Sequence, residues 1–199
     1  MNCLQLLFLK HNVLKPRSSG RAYEVLRRIK HIKNPVGAEL GVFNGNLSVL
    51  LLSNKIDLTL HMIDSWEGEG AGYIGDTEDS VATFSHQYMN DIFAKTMQRT
   101  DFAKDRRHVH RMRTDKAHTD IADGSLDFCF IDADHSYEGC KSDIELYRPK
   151  IKAGGWLGGH DYDHPKYPLF GVKRAVDEYA QAHHHRLETG KNYTWFIPL

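Results

Sequence analysis

The chain has 199 residues, of which 41% are hydrophobic and 26% charged, enough to bury one core, so we expect a single domain. Lys and Arg together number 26, as do Asp and Glu, and this balance argues against nucleic acid or an anionic membrane as a partner. Three cysteines without paired or C-x-x-C spacing indicate a reduced, cytoplasmic setting, and no apolar run approaches the roughly 20 residues of a membrane span. Whether the protein forms a homo-oligomer is left open.

Residues 1–20 are predicted to be an N-terminal arm, and residues 21–199 the domain itself. A first helix over 21–33 has an apolar stripe at Tyr23, Leu26 and Ile29. Its basic residues lie elsewhere on the helix, and we interpret them as a solvated face.

After this helix the hydrophobic period changes to that of short buried strands alternating with helices. Strands are predicted at 36–40, 58–63, 109–112, 127–131, 156–159 and 193–197. Helices between them are predicted from the spacing of Leu47, Leu50 and Leu51, of Tyr137, Cys140, Ile144 and Tyr147, and of Val172, Ala175, Val176 and Tyr179. This alternation favours a doubly wound α/β fold, in which helices cover both faces of a parallel sheet.

Residues 66–106 are longer than an ordinary connection between strands, and such segments are often lids over a ligand. Val81, Phe84, Tyr88 and Ile92 space out as the core face of a helix within this insertion. We expect Trp66, Tyr73 and the helix around Tyr88 to cover a ligand. The alternative is an added helix that only packs.

The segment Glu39-Leu40-Gly41-Val42-Phe43-Asn44-Gly45 lies where the first strand turns into a helix. Gly41 lets a ligand approach the backbone, and Gly45 lets the helix begin close to the strand, so that free N–H groups face the ligand. Asp64, at the end of the next strand, can accept both hydroxyls of a ribose. Plain turn and packing roles are the alternatives, but the two elements together favour nucleoside binding.

Acidic and imidazole groups follow two later strands: Asp132, Asp134 and His135 after one, His160 and Asp161 after the other. Unpaired charges beside a core are costly, so a reactive site or a metal is indicated. Asp134 and Ser136 are also able to cap the next helix. Asp163, His164 and the run His183-His184-His185 are interpreted as solvated.

Together these residues carry a resemblance to a known family. Glu39-x-Gly41-x-x-x-Gly45 followed by Asp64 resembles the cofactor site of class I S-adenosylmethionine-dependent methyltransferases. Asp64-Ser65-Trp66-Glu67-Gly68 and the segments 131–139 and 154–162 are similar to the macrocin O-methyltransferase type of small-molecule enzymes. The resemblance spans about residues 35–180. It implies a Rossmann-like fold with a mostly parallel seven-stranded sheet and an antiparallel last strand.

The resemblance also implies which residues bind S-adenosylmethionine. Gly41 and Gly45 would lie next to the methionine part of the cofactor, and Asp64 would bind the ribose hydroxyls. Asp115 would lie beside the adenine, and Asp132 near the sulfonium. The full implied set is Glu39, Gly41, Val42, Phe43, Asn44, Gly45, Asp64, Ser65, Asp115 and Asp132.

A divalent metal is implied at Asp132, His160 and Asp161. Relatives commonly carry two acids where this chain has His160-Asp161. Mg²⁺ prefers oxygen ligands, and an imidazole shifts the preference toward Mn²⁺, Fe²⁺ or Zn²⁺. A site that uses Mg²⁺ or Mn²⁺ and a metal-free site in which His160 acts as a base both remain open.

The implied reaction is methyl transfer to a hydroxyl on a small molecule such as a sugar, a polyol or a natural product. The protein must align the acceptor and remove its proton, with Asp134 as first choice of base and His135 and His160 as competitors. Another nucleotide-dependent enzyme on the same scaffold, such as an oxidoreductase, and a non-catalytic binding subunit are the alternatives. An RNA methyltransferase is disfavoured by the balanced charge and by the lack of an Asn-Pro-Pro-Tyr-like tetrapeptide.

Overall fold

The computed structural model describes residues 20–69 and 80–199, and strands alternate with helices along them. Residues 1–19 of the predicted N-terminal arm and Tyr73 lie outside the described residues, whereas Gly20, the last residue of that arm, already begins a helix. The strands are β1 (Val36–Leu40), β2 (Thr59–Asp64), β3 (Arg107–Arg111), β4 (Leu126–Ile131), β5 (Ile151–Gly159), β6 (Glu188–Thr189) and β7 (Trp195–Pro198). The α-helices are α1 (Gly20–Ile29), α2 (Asn46–Asn54), α3 (His86–Arg99), α4 (Thr114–Ala117), α5 (Tyr137–Tyr147) and α6 (Val172–Ala182).

The strands form one sheet in the order β3-β2-β1-β4-β5-β7-β6. The first five strands pair in parallel, and β7 lies antiparallel to both β5 and β6. The predicted fold class, a mostly parallel seven-stranded sheet with an antiparallel last strand, is thereby confirmed. The order reverses between β1 and β4, and in open α/β sheets ligands bind beyond the strand ends at such a point.

Two hydrophobic clusters cover the two faces of the sheet. Along β4, Phe128 and Phe130 point to the cluster under α1, α2 and α3, whereas Cys129 and Ile131 point to the cluster under α4, α5 and α6. Successive side chains of a strand face opposite sides, so a strand buried on both faces is apolar throughout. This explains why β4 was predicted almost to its observed bounds.

The insertion departs from the prediction in its local structure. A 3₁₀ helix covers Ser80–Thr83, and α3 begins only after Ser85, whose hydroxyl accepts the N–H of Tyr88 at 3.2 Å. The buried face of α3 consists of Met89, Ile92 and Thr96. Tyr88, predicted on the core face, is 44% exposed, since the buried face of α3 begins at its neighbour Met89.

The predicted solvated basic face of the first helix was also wrong in part. Arg28 is buried, paired with Glu24 at 2.9 Å, and its guanidinium lies 3.5 Å from the ring centroid of Phe196. Arg21 forms an ion pair with Asp132. Phe196 and Asp132 are far from these arginines in the chain, and the spacing of apolar residues along a helix gives no sign of such partners.

At the carboxyl ends of the strands, each following residue is tied to the neighbouring strand. The N–H of Gly41 donates to Ile63 O at 2.9 Å, that of Asp132 to Leu40 O at 2.8 Å, and that of His160 to Ile131 O at 3.0 Å. Residues that are far apart in the chain therefore begin their loops side by side at one edge of the sheet.

Candidate active site

The turn after β1 begins at Gly41, which has a φ of +81°. A Cβ on this residue would lie 1.9 Å from the backbone oxygen of Asp132. The close approach of the two chains, together with the left-handed backbone, explains why only glycine fits at this position. Gly45, with a φ of +72°, lies against the methyl group of Thr96 on α3 rather than in the pocket described below.

Phe43, in the same turn, is held by its backbone in a left-handed conformation with a φ of +48°. Its carbonyl oxygen accepts hydrogen bonds from Trp66 Nε1 at 2.8 Å and from Thr96 Oγ1 at 3.0 Å. Its N–H donates to Asp64 Oδ2 at 2.7 Å. The turn is thus fixed from the side of the insertion and from the end of β2.

Asp64 ends β2, and its two carboxylate oxygens accept the N–H groups of Phe43 and Trp66, each at 2.7 Å. Burial raises the pKa of Asp64, and these backbone N–H groups oppose that rise. Each carboxylate oxygen keeps a second lone pair, so the side chain can still accept hydroxyl groups. Asp64 also lies in the wall of the pocket described below, and its binding of a ribose stays a prediction.

A pocket opens between the ends of β2, β1 and β4. Its wall is formed by Gly41, Phe43, Asp64, Ser65, Val81, Arg113, Thr114, Asp132, Ala133, Asp134 and His135. Arg113 and Thr114, which begin α4, were missed by sequence reasoning. The nearest signal was Asp115, which instead pairs with Arg113 Nε at 3.4 Å and is absent from this wall.

Four further residues of the predicted cofactor set, Glu39, Val42, Asn44 and Gly45, also lie outside the pocket wall. Glu39 is buried and its carboxylate accepts the hydroxyl of Ser48 on α2. Burial raises the pKa of Glu39 to about 8, so its neutral form prevails at pH 7. Its observed contact joins β1 to α2.

Beside the pocket, two carboxylates and two imidazoles form a compact cluster. Asp161 Oδ2 lies 3.0 Å from both His135 Nε2 and His160 Nδ1. Asp132 Oδ1 lies 3.6 Å and 3.4 Å from the same two nitrogens. The guanidinium of Arg21 contacts the other oxygen of Asp132. We call these four residues, Asp132, His135, His160 and Asp161, the acid–imidazole cluster.

Charges in this cluster are mutually stabilised. Burial alone would lower the pKa of His160, but its hydrogen bonds to Asp132 and Asp161 raise it to about 9. Burial would raise the pKa of Asp161, yet the two histidines lower it to about 2, and the pKa of Asp132 is lowered for the same reason and by Arg21. Two anionic carboxylates therefore face two cations, Arg21 and His160.

The donor chemistry of the cluster fits a divalent metal. Ligand atoms of Asp132, His135 and Asp161 lie within 4.8 Å of one another. His160, from the predicted metal set, lies against both carboxylates of this trio. A mixture of imidazole and carboxylate suits Mn²⁺, Fe²⁺ or Zn²⁺ better than Mg²⁺. Arg21 would compete with such an ion for Asp132.

Asp134, the first choice of base, combines a place in the pocket wall with a structural contact. Its Oδ1 accepts the N–H of Ser136 at 2.8 Å. Ser136 is the N-cap of α5 and accepts the N–H of Gly139 at 3.0 Å. The capping alternative therefore describes Ser136, and Asp134 orders the loop that leads into the cap.

His135 is fixed by the loop that follows the cluster. Its ring stacks on Phe170 with centroids 4.4 Å apart and planes inclined by 7°, and Phe170 stacks in turn on Tyr167. The N–H of Gly171 donates to the carbonyl oxygen of His135 at 2.8 Å. Sequence reasoning missed Phe170, because aromatic residues in a proline-containing loop carry no periodic signal.

The residues outside the cluster that were predicted to be solvated have different outcomes. Asp163, His183 and His184 are exposed, as expected, whereas His185 is only half-exposed. His164 is only half-exposed, contrary to prediction, because its ring packs against Tyr193 at a centroid distance of 4.0 Å and against Tyr167 at 4.7 Å.

Trp66 does not have the position of an open lid. The side chain is 1% exposed, packs edge-on against Phe93 and hydrogen-bonds to the Phe43 carbonyl. For this part of the insertion the structure has the packing role that was the alternative.

Comparison with known proteins agrees with this geometry. Residues 38–162, more than half of the chain, match a family model described as a methyltransferase domain. The chain belongs to this methyltransferase family. No helix among the described residues is long and apolar enough to cross a membrane.

Solved structures share the fold at low sequence identity. The O-methyltransferase NovP is 18% identical with a TM-score of 0.67, and the match covers 89% of this chain and 78% of NovP. CalS11, a TDP-rhamnose 3′-O-methyltransferase of calicheamicin biosynthesis, is 15% identical with a TM-score of 0.58, over 99% and 81% of the two chains. A precorrin-6y C5,15-methyltransferase from Geobacter metallireducens is 9% identical with a TM-score of 0.61, over 95% and 96%. Among the curated proteins there was no match.

Proposed function

We propose that this protein transfers a methyl group from S-adenosylmethionine to a hydroxyl on a small molecule. The observation that carries the proposal is the pocket between Asp64 and Asp132, which adjoins the acid–imidazole cluster. One end offers acceptors for a ribose and the other offers groups that take up a proton. The names of NovP and of CalS11, which is described as acting on a sugar nucleotide, support a hydroxyl acceptor.

At the cofactor end, the free lone pairs of Asp64 accept the ribose hydroxyls, and the backbone at Gly41 and Phe43 forms the floor. Arg113 and Thr114 bound the side on which the adenine would lie. The carboxylate of Asp132 provides negative charge close to the methionine portion. When bound, S-adenosylmethionine supplies a methyl group that its cationic sulfonium makes electrophilic.

At the acceptor end, the hydroxyl proton must leave as the new C–O bond forms. We assign its uptake to His135, which lies at the pocket wall. Its Nε2 faces Asp161 Oδ2 at 3.0 Å, so the carboxylate orients the ring and stabilises the imidazolium that results. Phe170 holds the ring in place from the other side.

A divalent metal is the second route to the same step. Asp132, His135 and Asp161 would hold it, and it would lower the pKa of the acceptor hydroxyl and orient that oxygen. Chelation separates the two routes. Activity that survives treatment with EDTA assigns the step to a side-chain base, and activity that is lost and then restored by Mn²⁺ assigns the cluster to metal binding.

The first experiment is calorimetric titration with S-adenosylhomocysteine and, separately, with NAD. We expect S-adenosylhomocysteine to bind with a Kd in the micromolar range and NAD not to bind. Binding of NAD alone would instead support the oxidoreductase alternative.

The second experiment measures transfer of labelled methyl from S-adenosylmethionine to a panel of sugars, sugar nucleotides and polyphenols. For His135→Asn we expect a loss of kcat of about 100-fold or more, in the range of general-base catalysis. Binding of S-adenosylhomocysteine should stay within about threefold, and the matched control His183→Asn, at an exposed position, should retain full activity. If no acceptor is methylated while the cofactor product still binds, the non-catalytic binding subunit is the better description.

A further inference from the structure

Three histidines lie together on the two strands at the edge of the sheet, away from the pocket. His61 is on β2, and His108 and His110 are on β3. Residues two apart in a strand face the same side, and His61 is in register with His108, so the three side chains share one face. The pocket and the acid–imidazole cluster use none of them.

The three rings pack against one another. His61 Nδ1 and His110 Nε2 share a hydrogen bond of 3.0 Å. The His61 ring centroid is 5.0 Å from that of His108 and 5.2 Å from that of His110. Two imidazole nitrogens on one tetrahedral zinc ion, with Zn–N near 2.0–2.1 Å, are about 3.3 Å apart. The pair His61 and His110 is thus close to the spacing that zinc requires.

A carboxylate stands behind one of the histidines. Asp120 Oδ2 lies 3.5 Å from His110 Nδ1, the ring nitrogen that points away from His61. Histidines that bind metals usually donate their second N–H to a carboxylate or a carbonyl, which fixes the ring and makes the ligating nitrogen more basic. Asp120 comes from the 3₁₀ turn after α4, so this contact is not imposed by the strand pairing.

We propose that His61, His108 and His110 form a zinc-binding site, with Asp120 orienting His110 and water as the fourth ligand. The ring of His108 must turn to bring its nitrogen to the ion, and its exposed position allows this. Bound zinc joins β3, the edge strand, to β2. Because the ion binds the folded chain and not the separated strands, it stabilises the folded protein.

The test is a zinc titration against a chromophoric chelator, performed on the full chain. The background protein carries His183→Gln, His184→Gln and His185→Gln to remove the histidine run at 183–185, and Asp161→Asn to weaken the acid–imidazole cluster. We expect one zinc ion to bind and to raise Tm by several degrees. In this background Asp120→Asn should weaken binding by about 10-fold, within the range seen when a ligand loses its hydrogen-bond partner. His110→Gln, which removes a ligand itself, should weaken binding more, by about 100-fold or above.

His31→Gln, which alters an exposed histidine elsewhere, is the matched control and should leave zinc affinity unchanged. Because His61 is partly buried, the zinc affinity of His61→Gln is interpreted only if the circular dichroism spectrum of this variant matches that of the background protein. His110→Gln provides the independent measurement. Zinc affinity that is equal in the background protein, His110→Gln and Asp120→Asn would overturn the proposal, as would loss of all binding in the background protein itself.

Discussion

Arg21, in the first turn of α1, forms an ion pair with Asp132, which directly follows β4 and lies 111 residues further along the chain. The pair joins the first described helix to the centre of the site. Asp132 is also adjacent to His135 and His160, so the guanidinium provides part of the positive charge that keeps this carboxylate ionised.

We expect Arg21→Gln to lower the free energy of unfolding by about 1 kcal/mol, because it removes one cation from a carboxylate that keeps its two histidine partners. The expected loss of stability is small because the Arg21 side chain is 33% exposed, so that solvent screens the ion pair. Urea denaturation measures the change. Arg174→Gln, which removes an exposed pair with Glu178, is the control and should leave the free energy of unfolding nearly unchanged.

A comparison of Gly41→Ala with Gly154→Ala separates two costs in stability, that of a steric clash and that of an unfavourable backbone conformation. Their φ values are +81° and +80°, but a Cβ at 41 meets Asp132 O at 1.9 Å, whereas a Cβ at 154 meets no atom within 4 Å. We expect Gly154→Ala to cost about 1 kcal/mol and Gly41→Ala about 3 kcal/mol or more. Equal costs in thermal or urea unfolding would show that the contact with Asp132 is unimportant.

Because Glu39 is buried, we expect the stability of the folded protein to fall as the pH rises. Burial raises its pKa from 4.5 to about 8, so between these values the folded chain keeps a proton that the unfolded chain releases. The free energy of unfolding of the wild type therefore falls from pH 4.5 up to about 8. Glu39→Gln has no group that titrates at this position, so its free energy of unfolding lacks this decrease. The stability of the variant relative to wild type should increase by about 1 kcal/mol per pH unit between pH 5.5 and 7.5.

Urea unfolding of both proteins at several pH values checks this prediction. Asp143, whose pKa burial raises to about 7, contributes a similar slope in both proteins and cancels in the difference. A difference that is constant with pH would mean that Glu39 is ionised in the folded protein.

Trp66 tests whether the start of the insertion supports the site or covers it. Trp66→Phe removes the hydrogen bond to the Phe43 carbonyl, and we expect a loss of about 1–3 kcal/mol in stability and weaker binding of S-adenosylhomocysteine. Trp195, equally buried, has an Nε1 atom without a hydrogen-bond partner among the described residues. Trp195→Phe is thus the control, and it should leave binding unchanged. Altered binding with unchanged stability in Trp66→Phe would favour a lid.

The sequence predicted the sheet well because buried parallel strands are apolar on both faces, as β4 is. The turn at Gly41 and the acids and imidazoles at 132–135 and 160–161 were found because strand ends are where an α/β sheet binds ligands. β6, with two residues, is too short for any period to be visible. β5 begins five residues before its prediction, since Lys152 and the glycines at 154 and 155 interrupt the apolar run.

The contacts that complete the site were not predictable in the same way. Arg21 reaches Asp132 across most of the chain, and Phe170 stacks on His135 from an irregular loop. Trp66 was expected to cover a ligand, but its side chain is buried in the core, and its backbone has a φ of +46°. Each of these depends on tertiary geometry rather than on local spacing.

The pairing of Ile131 with Gly159 has a consequence for how this chain tolerates change. Asp132 and His160 are the next residue on each strand, so the hydrogen-bond ladder between β4 and β5 sets the separation of the reactive groups. A deletion of one residue inside either strand would turn every later side chain to the opposite face. Insertions at residues 163–166, between Asp161 and the aromatic pair Tyr167 and Phe170, leave that ladder intact. Selection for new acceptors is therefore best directed at loop length, with the strands held constant.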